Sequence, residues 1–251
     1  MQLKAVPEEP VGRRGRDTMS IISSMIGKAL RGRRHKEEIR RELKDTTARF
    51  PALAALLETR AASWELLAEP HGEYCSTVSS PVFAISPQTA AVMHALCTLL
   101  RPQRVLDLGS GFSSFALRRY CRDENGSCTV HTVDDDAQWL ERTRGFLVKH
   151  GLPTDGTYVW NSFQEQAGPP YDLILHDMGR MNTRLDTLPR VLGLARADGL
   201  VVLDDMHKTE YAPHAVERCS SAGFVVCPLP GMTLDPMGRY AAFAFRPRTR
   251  L

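Results

Sequence analysis

From residue 104 onward, short apolar runs alternate with segments whose apolar residues recur every three or four positions. Arg104–Leu108, Cys128–Val133, Thr157–Trp160, Tyr171–His176, Leu200–Leu203, Phe224–Pro228 and Tyr240–Phe245 read as strands. Helices fit between them at 113–122, 136–150, 182–197 and 210–222. Strands joined through helices make βαβ units, so the pattern predicts an α/β fold whose mainly parallel sheet is covered on both faces. The connection 229–239, with Pro230, Gly231, Pro236 and Gly238, has no room for a helix. The final strand is therefore expected to return as a hairpin, antiparallel to the sixth.

Ahead of this region, Ser86-Pro87 offers an N-cap and a first helical position for a helix to about Leu100. Residues 36–68 read as helical with a break near Pro51, and Leu53, Leu56, Leu57, Trp64 and Leu67 form the apolar side. A loop containing Pro70, Gly72 and the serine-rich run 76–80 is expected next. Ile21, Ile22, Met25, Ile26 and Leu30 also follow helical spacing, beside Lys28, Arg31, Arg33 and Arg34. That stripe suits either an arm packed on the body or on a partner subunit, or a helix against a membrane surface or RNA. The expected organisation is a disordered basic leader (1–18), an N-terminal helical extension (19–80) and a catalytic-type α/β domain (81–251).

Composition narrows the class. The chain has 251 residues, 43% hydrophobic and 24% charged, which excludes a wholly disordered protein and suits one large domain with an appendage. The net charge of +3 is unevenly spread: residues 1–49 carry 13 Lys/Arg and 7 Asp/Glu, so the rest of the chain is slightly acidic. Six cysteines show no C-x-x-C pair and no zinc spacing, as expected of reduced thiols in a cytoplasmic protein. The first residues form no apolar leader, and Pro87 interrupts the uncharged stretch Pro81–Leu100, so neither a secretory signal nor a membrane span is expected.

The candidate chemistry lies at strand ends. Val105-Leu106-Asp107-Leu108-Gly109-Ser110-Gly111-Phe112-Ser113-Ser114 is a strand, a glycine turn and a helix start, a loop that can approach a nucleotide-like ligand. The second strand ends in Val133-Asp134-Asp135-Asp136, where an acid can accept hydrogen bonds from ribose hydroxyls. Asp135 and Asp136 read as an N-cap pair for the next helix. A dinucleotide site would want a glycine at Ser114, and Asp107 directly before the turn repels a phosphate but can face a cationic amino-acid group.

Asp107, Gly109, Ser110 and Gly111 resemble the first motif of the class I S-adenosylmethionine-dependent methyltransferases, with Ser113 where a third glycine is common. The resemblance spans roughly residues 82–246. It implies a Rossmann-like seven-stranded sheet, mainly parallel with the last strand antiparallel, and S-adenosylmethionine as cofactor. It also implies that Asp134 holds the ribose and that Asn161-Ser162 lies beside the adenine.

Two further strands end in acids: Tyr171–Asp177, and Leu200–His207 with Asp204 and Asp205. As neighbours they would bring three carboxylates to one rim. One like-charge pair at about 4 Å costs roughly 4 kcal/mol at an effective dielectric of about 20, so a cation is expected there. An all-oxygen ligand set suits Mg²⁺, Mn²⁺ or Ca²⁺. This arrangement is similar to the metal-dependent O-methyltransferases of the catechol type and of the macrocin/novobiocin sugar type. The resemblance implies that Asp177, Asp204 and Asp205 ligate a divalent ion, with magnesium the first expectation. Asp177 would then serve catalysis, metal and cofactor together. Arg180 stands where the catechol type carries a lysine; it can stabilise an oxyanion but stays protonated. His207 is the candidate base, with Asp177 or another group as alternatives. His176, by strand alternation, is expected to point away.

The expected activity is O-methylation of a hydroxyl on a small natural-product-like molecule, a sugar or a phenol. Phe83, Trp64, Tyr74 and Tyr211 are aromatic candidates for an apolar acceptor pocket. One alternative is a methyltransferase that docks RNA or a peptide through the basic arm. Against it, no Asn/Asp-Pro-Pro-aromatic motif follows the fourth strand. The other alternative is a cofactor-binding partner subunit without catalysis. The N-terminal helices leave room for a homodimer.

Overall fold

The computed structural model describes residues 51–124, 128–165 and 170–247. The leader 1–18, the apolar stripe at 21–30 and the helical pattern up to residue 50 lie outside the described residues. The chain order is α1 (Pro51–Thr77), α2 (Pro87–Leu100), β1 (Arg104–Leu108), α3 (Phe112–Asp123), β2 (Thr129–Asp134), α4 (Ala137–Lys149), β3 (Thr157–Val159), α5 (Trp160–Glu165), β4 (Tyr171–His176), α6 (Met181–Leu194), β5 (Ala195–Leu203), α7 (Ala212–Ser221), β6 (Val225–Pro228), α8 (Pro230–Thr233) and β7 (Ala242–Phe245). The seven strands form one sheet in the order β3-β2-β1-β4-β5-β7-β6. The first five pair in parallel, while β7 lies antiparallel between β5 and β6. This is the expected sheet, reversed last strand included.

Alternation along the strands divides the core. Leu106, Leu108, Ile174, Val201 and Leu203 fall in one buried cluster with Leu188, Val191 and Tyr211. Val105, Leu173, Leu175 and Val202, at the intervening positions, are equally buried and face the opposite side. Ser86 caps α2 as expected, its side chain accepting from Thr89 N, with Pro87 in the first turn.

Two expectations fail locally. Segment 229–239 holds one short helical turn, α8, before β7. More consequentially, α1 runs unbroken through Pro70 and Gly72 to Thr77, where a loop was expected. An interior proline costs a helix about 3 kcal/mol. Burial of a large apolar side chain returns about 1.5–3 kcal/mol each. Leu67 and Tyr74 on this helix are both fully buried, the Tyr74 ring lying 5.0 Å from Phe146 and 5.8 Å from Phe112. Tertiary packing thus outweighs the local signal. The six cysteines are free thiols. No helix among the described residues is long and apolar enough to cross a membrane.

Candidate active site

The carboxyl ends of β1, β2, β4 and β5 border one cleft of about 1190 Å³. It lies where β1 and β4 adjoin and the chain winds outward in both directions, the switch point at which open α/β sheets bind ligands. Backbone hydrogen bonds continue past the strand ends. Gly109 N donates to Val133 O (2.8 Å), Asp177 N to Leu108 O (2.7 Å) and Asp204 N to His176 O (3.3 Å). The rim residues are therefore held as rigidly as the strands themselves.

On one wall, Gly109 has φ +104°, and a Cβ there would lie 2.7 Å from the carbonyl carbon of Asp177. Only glycine lets the β1 turn pass this close to the end of β4. Ser110 donates to Asp134 Oδ2 through both its N–H (2.6 Å) and its hydroxyl (2.7 Å), while Asp136 N donates to Asp134 Oδ1 (2.9 Å). Burial raises the Asp134 carboxyl above its ordinary range, against these hydrogen bonds. Asp136 caps α4 by accepting from Gln138 N and Trp139 N, as expected. Gly109, Ser110, Asp134, Asp135 and Trp139 all line the cleft.

Three residues expected at the cofactor do not reach this cleft. Asp107 is fully buried and faces α3: its Oδ2 accepts from Ser114 Oγ (2.5 Å) and Thr132 Oγ1 (3.3 Å). Strand alternation aims it at the helix under the turn, whereas the backbone beyond the strand end turns toward the cleft. Gly111 begins α3 and faces the Tyr74 hydroxyl. Ser162 is exposed on α5, away from the cleft-lining residues.

Burial pushes Asp107 up to about 7, against hydrogen bonds from Ser114 and Ser113. A carboxyl raised above its unfolded value binds extra protons in the folded state, so its stabilising effect is complete below about pH 4. That effect is lost as pH rises through about 7. The Asp107→Asn variant should therefore lose less stability than the parent between pH 4 and 7, by up to about 4 kcal/mol. Urea titrations across that range check this, and parallel pH slopes in parent and variant would contradict it.

The opposite wall carries the expected convergence. Asp177, Asp204 and Asp205 line the same cleft, together with Arg180 and His207. Burial, together with Asp204 and Asp205, pushes Asp177 up to about 8 in spite of Arg184 beside it. Burial and Asp205 push Asp204 up to about 6. Asp205 moves the other way: burial would raise it, but Arg184 and Lys208 outweigh burial and hold it low. Asp205 also sits at φ +60°, a left-handed conformation that costs a non-glycine residue about 1–2 kcal/mol and is characteristic of functional turns.

The cation among these acids is a side chain. Arg184, on α6 and nearly buried, sets Nη2 2.6 Å from Asp177 Oδ1 and Nη1 3.1 Å from Asp205 Oδ2. Lys208 Nζ reaches Asp205 Oδ2 at 2.8 Å. One oxygen of Asp177 and one of Asp205 are already paired with a guanidinium, and among the described residues no group of His, Cys, Asp and Glu is arranged to hold an ion. The residues as placed do not fit a divalent metal.

His207 Nδ1 lies 3.6 Å from Asp205 Oδ1, and Arg180, at the start of α6, is exposed at the cleft rim. His176 points away as expected, fully buried with Nε2 3.1 Å from Thr187 Oγ1. Sequence reasoning missed Arg184, although Arg180 and Arg184 lie four apart, hence on one helix face, just after an acid-ended strand. It also missed Arg239, whose Nη1 donates to Val82 O and Ala84 O and whose Nη2 donates to Pro81 O, all at 3.0 Å. Asp235 Oδ2 holds Arg239 Nε at 2.7 Å. Of the four aromatic candidates, Phe83 lines the cleft, whereas Tyr74 and Tyr211 are core residues.

No protein-family model and no curated protein matches the chain. Solved structures do. Cofactor-bound Rv0187 from MTB shares 21% identity over 78% of this chain and 89% of its own, with a TM-score of 0.54. The O-methyltransferase TomG from Streptomyces achromogenes, involved in tomaymycin synthesis and solved in complex with SAM, shares 16% over 74% and 90%, TM-score 0.53. An O-methyltransferase from Bacillus cereus in complex with SAH shares 15% over 73% and 89%, TM-score 0.52. The fold is the Rossmann-like α/β fold found in these methyltransferases.

Proposed function

We propose that this chain is an S-adenosylmethionine-dependent O-methyltransferase acting on a hydroxyl of a small, natural-product-like molecule. One observation carries the reading: a single cleft at the switch point joins the turn Gly109-Ser110 and Asp134 to a wall of Asp177, Asp204, Asp205 and His207. Its volume, about 1190 Å³, exceeds the roughly 300–1,000 Å³ of a typical single-ligand pocket, so two ligands can share it.

In this reading, Gly109 admits the cofactor close to the backbone, Ser110 and Asp134 hold its ribose end, and Asp177 faces the methyl donor. The chemistry that S-adenosylmethionine supplies when bound is a methyl group on a positively charged sulfur. His207 takes the proton from the acceptor hydroxyl, with Asp205 Oδ1 3.6 Å from its Nδ1. Arg180 at the rim supports the developing oxyanion. Most of the rate then derives from alignment of the acceptor oxygen in the cleft.

The acceptor's carbon skeleton is expected at the apolar side of the mouth. Phe83 (78% exposed), Val82 (61%) and Met237 (52%) line the cleft there, large apolar side chains exposed at its mouth. Arg239 fastens residues 81–84 at that position through their carbonyls. Arg239→Ala should raise KM for the acceptor about tenfold and leave S-adenosylhomocysteine binding unchanged. Steady-state kinetics beside calorimetry check this; an unchanged KM would contradict the assignment.

The reading itself is tested with the full chain in two steps. Calorimetry asks whether S-adenosylhomocysteine binds. Transfer of a labelled methyl from S-adenosylmethionine is then followed over a panel of phenols and glycosides, with RNA and peptides as competing acceptors. No binding, or transfer only to a macromolecule, would overturn it.

A further inference from the structure

We propose that Arg184 is the built-in cation of the carboxylate triad: its guanidinium bridges Asp177 and Asp205 where a divalent ion would stand, so the site works without a metal. Asp177 follows β4 and Asp205 follows β5, so one side chain ties together acids delivered by two strands, which is the task an ion performs in a carboxylate cluster. The fork geometry suits it, since two nitrogens of a planar, always charged group each meet a different carboxylate.

The placement is built rather than incidental. Arg184 leaves α6 within its first turn, and its Nε donates to Gly179 O at 3.3 Å, which fixes the guanidinium from behind. The residue is 5% exposed, yet it lines the cleft, so its charge points into the space shared with Asp204, Asp205 and His207. A charge buried to this degree needs opposite charge beside it, and Asp177 and Asp205 supply it. Lys208 adds a second positive charge on Asp205 Oδ2, so ordinary cations of the chain already attend the triad.

Arg184 is thus a positioning residue: it holds Asp177 and Asp205 together and gives the cleft a fixed positive charge near the acceptor oxygen. The second part of that role rests on the methyl-transfer reading; the replacement of the ion does not.

The experiment uses chelator-stripped full-length protein, titrated with Mn²⁺ alone by calorimetry, beside the near-isosteric Arg184→Gln and the apolar Arg184→Met. The parent is expected to show no saturable uptake. A folded neutral variant is expected to gain saturable Mn²⁺ uptake, because the acids regain the oxygens that Arg184 occupied. Arg184→Lys, which keeps the charge, should stay without uptake. A purely structural arginine would not confer ion binding on its removal. Saturable uptake by the parent overturns the proposal, and so does a folded neutral variant that gains none. Should both neutral variants fail to fold, the parent titration still decides. Titrating S-adenosylhomocysteine into the same parent sample separates the two readings. Binding of both S-adenosylhomocysteine and Mn²⁺ overturns the Arg184 proposal alone, whereas neither binding overturns methyl transfer and leaves the ion replacement standing.

Discussion

Gly109→Ala should cost the fold about 3 kcal/mol or more and abolish S-adenosylhomocysteine binding. Two penalties combine. An L-residue at φ +104° lies outside the regions open to it, at about 1–3 kcal/mol. The new methyl would also stand 2.7 Å from Asp177 C, 2.8 Å from Asp177 O and 2.9 Å from Met178 N. These are backbone atoms at the end of a central strand, tied to Leu108 O through Asp177 N, so they cannot yield as a flexible side chain would. Relief requires parting β1 from β4, which spreads both walls of the cleft at once. Chemical denaturation gives the stability loss and calorimetry the binding loss. A variant within about 0.5 kcal/mol of the parent that still binds the ligand would show that the turn has slack the geometry denies it.

His207→Ala is expected to lower kcat by about 10²–10⁴, the ordinary range for loss of a general base, with KM and S-adenosylhomocysteine binding nearly unchanged. His207 lines the cleft two residues beyond Asp205, whose left-handed backbone turns the chain back across the end of β5. Lys208 N donates to Asp205 O at 3.0 Å and braces that turn. Pre-steady-state and steady-state rates, with calorimetry of S-adenosylhomocysteine, check these points. If kcat drops by less than about threefold, proton removal belongs to another group, with Asp177 next in line.

The three acids expected at the strand ends do line one cleft. An ion was expected because three clustered acids need positive charge, and that physical requirement holds. What meets it in the structure is Arg184 with Lys208. A requirement for charge can be read from the acids; its bearer depends on how α6 docks beside β4.

Local patterning determined which segments are strands and which acids end them, because the short apolar runs at 104–108, 171–176 and 200–203 and the acids that follow two of them are properties of contiguous residues. The same pattern determined the reversed β7, since a connection without a full crossover helix cannot return a strand in parallel. Only the tertiary structure decided that α1 survives Pro70, that Asp107 turns inward to Ser114, that Arg239 reaches back to residues 81–84, and that Arg184 lies between Asp177 and Asp205. Each of those outcomes is a contest between a local preference and a contact made elsewhere in space. Leu67 and Tyr74 find a core that offsets the proline, and Arg184 finds two acids from different strands. Spacing along the chain carries no information on such meetings until helices and sheet have packed.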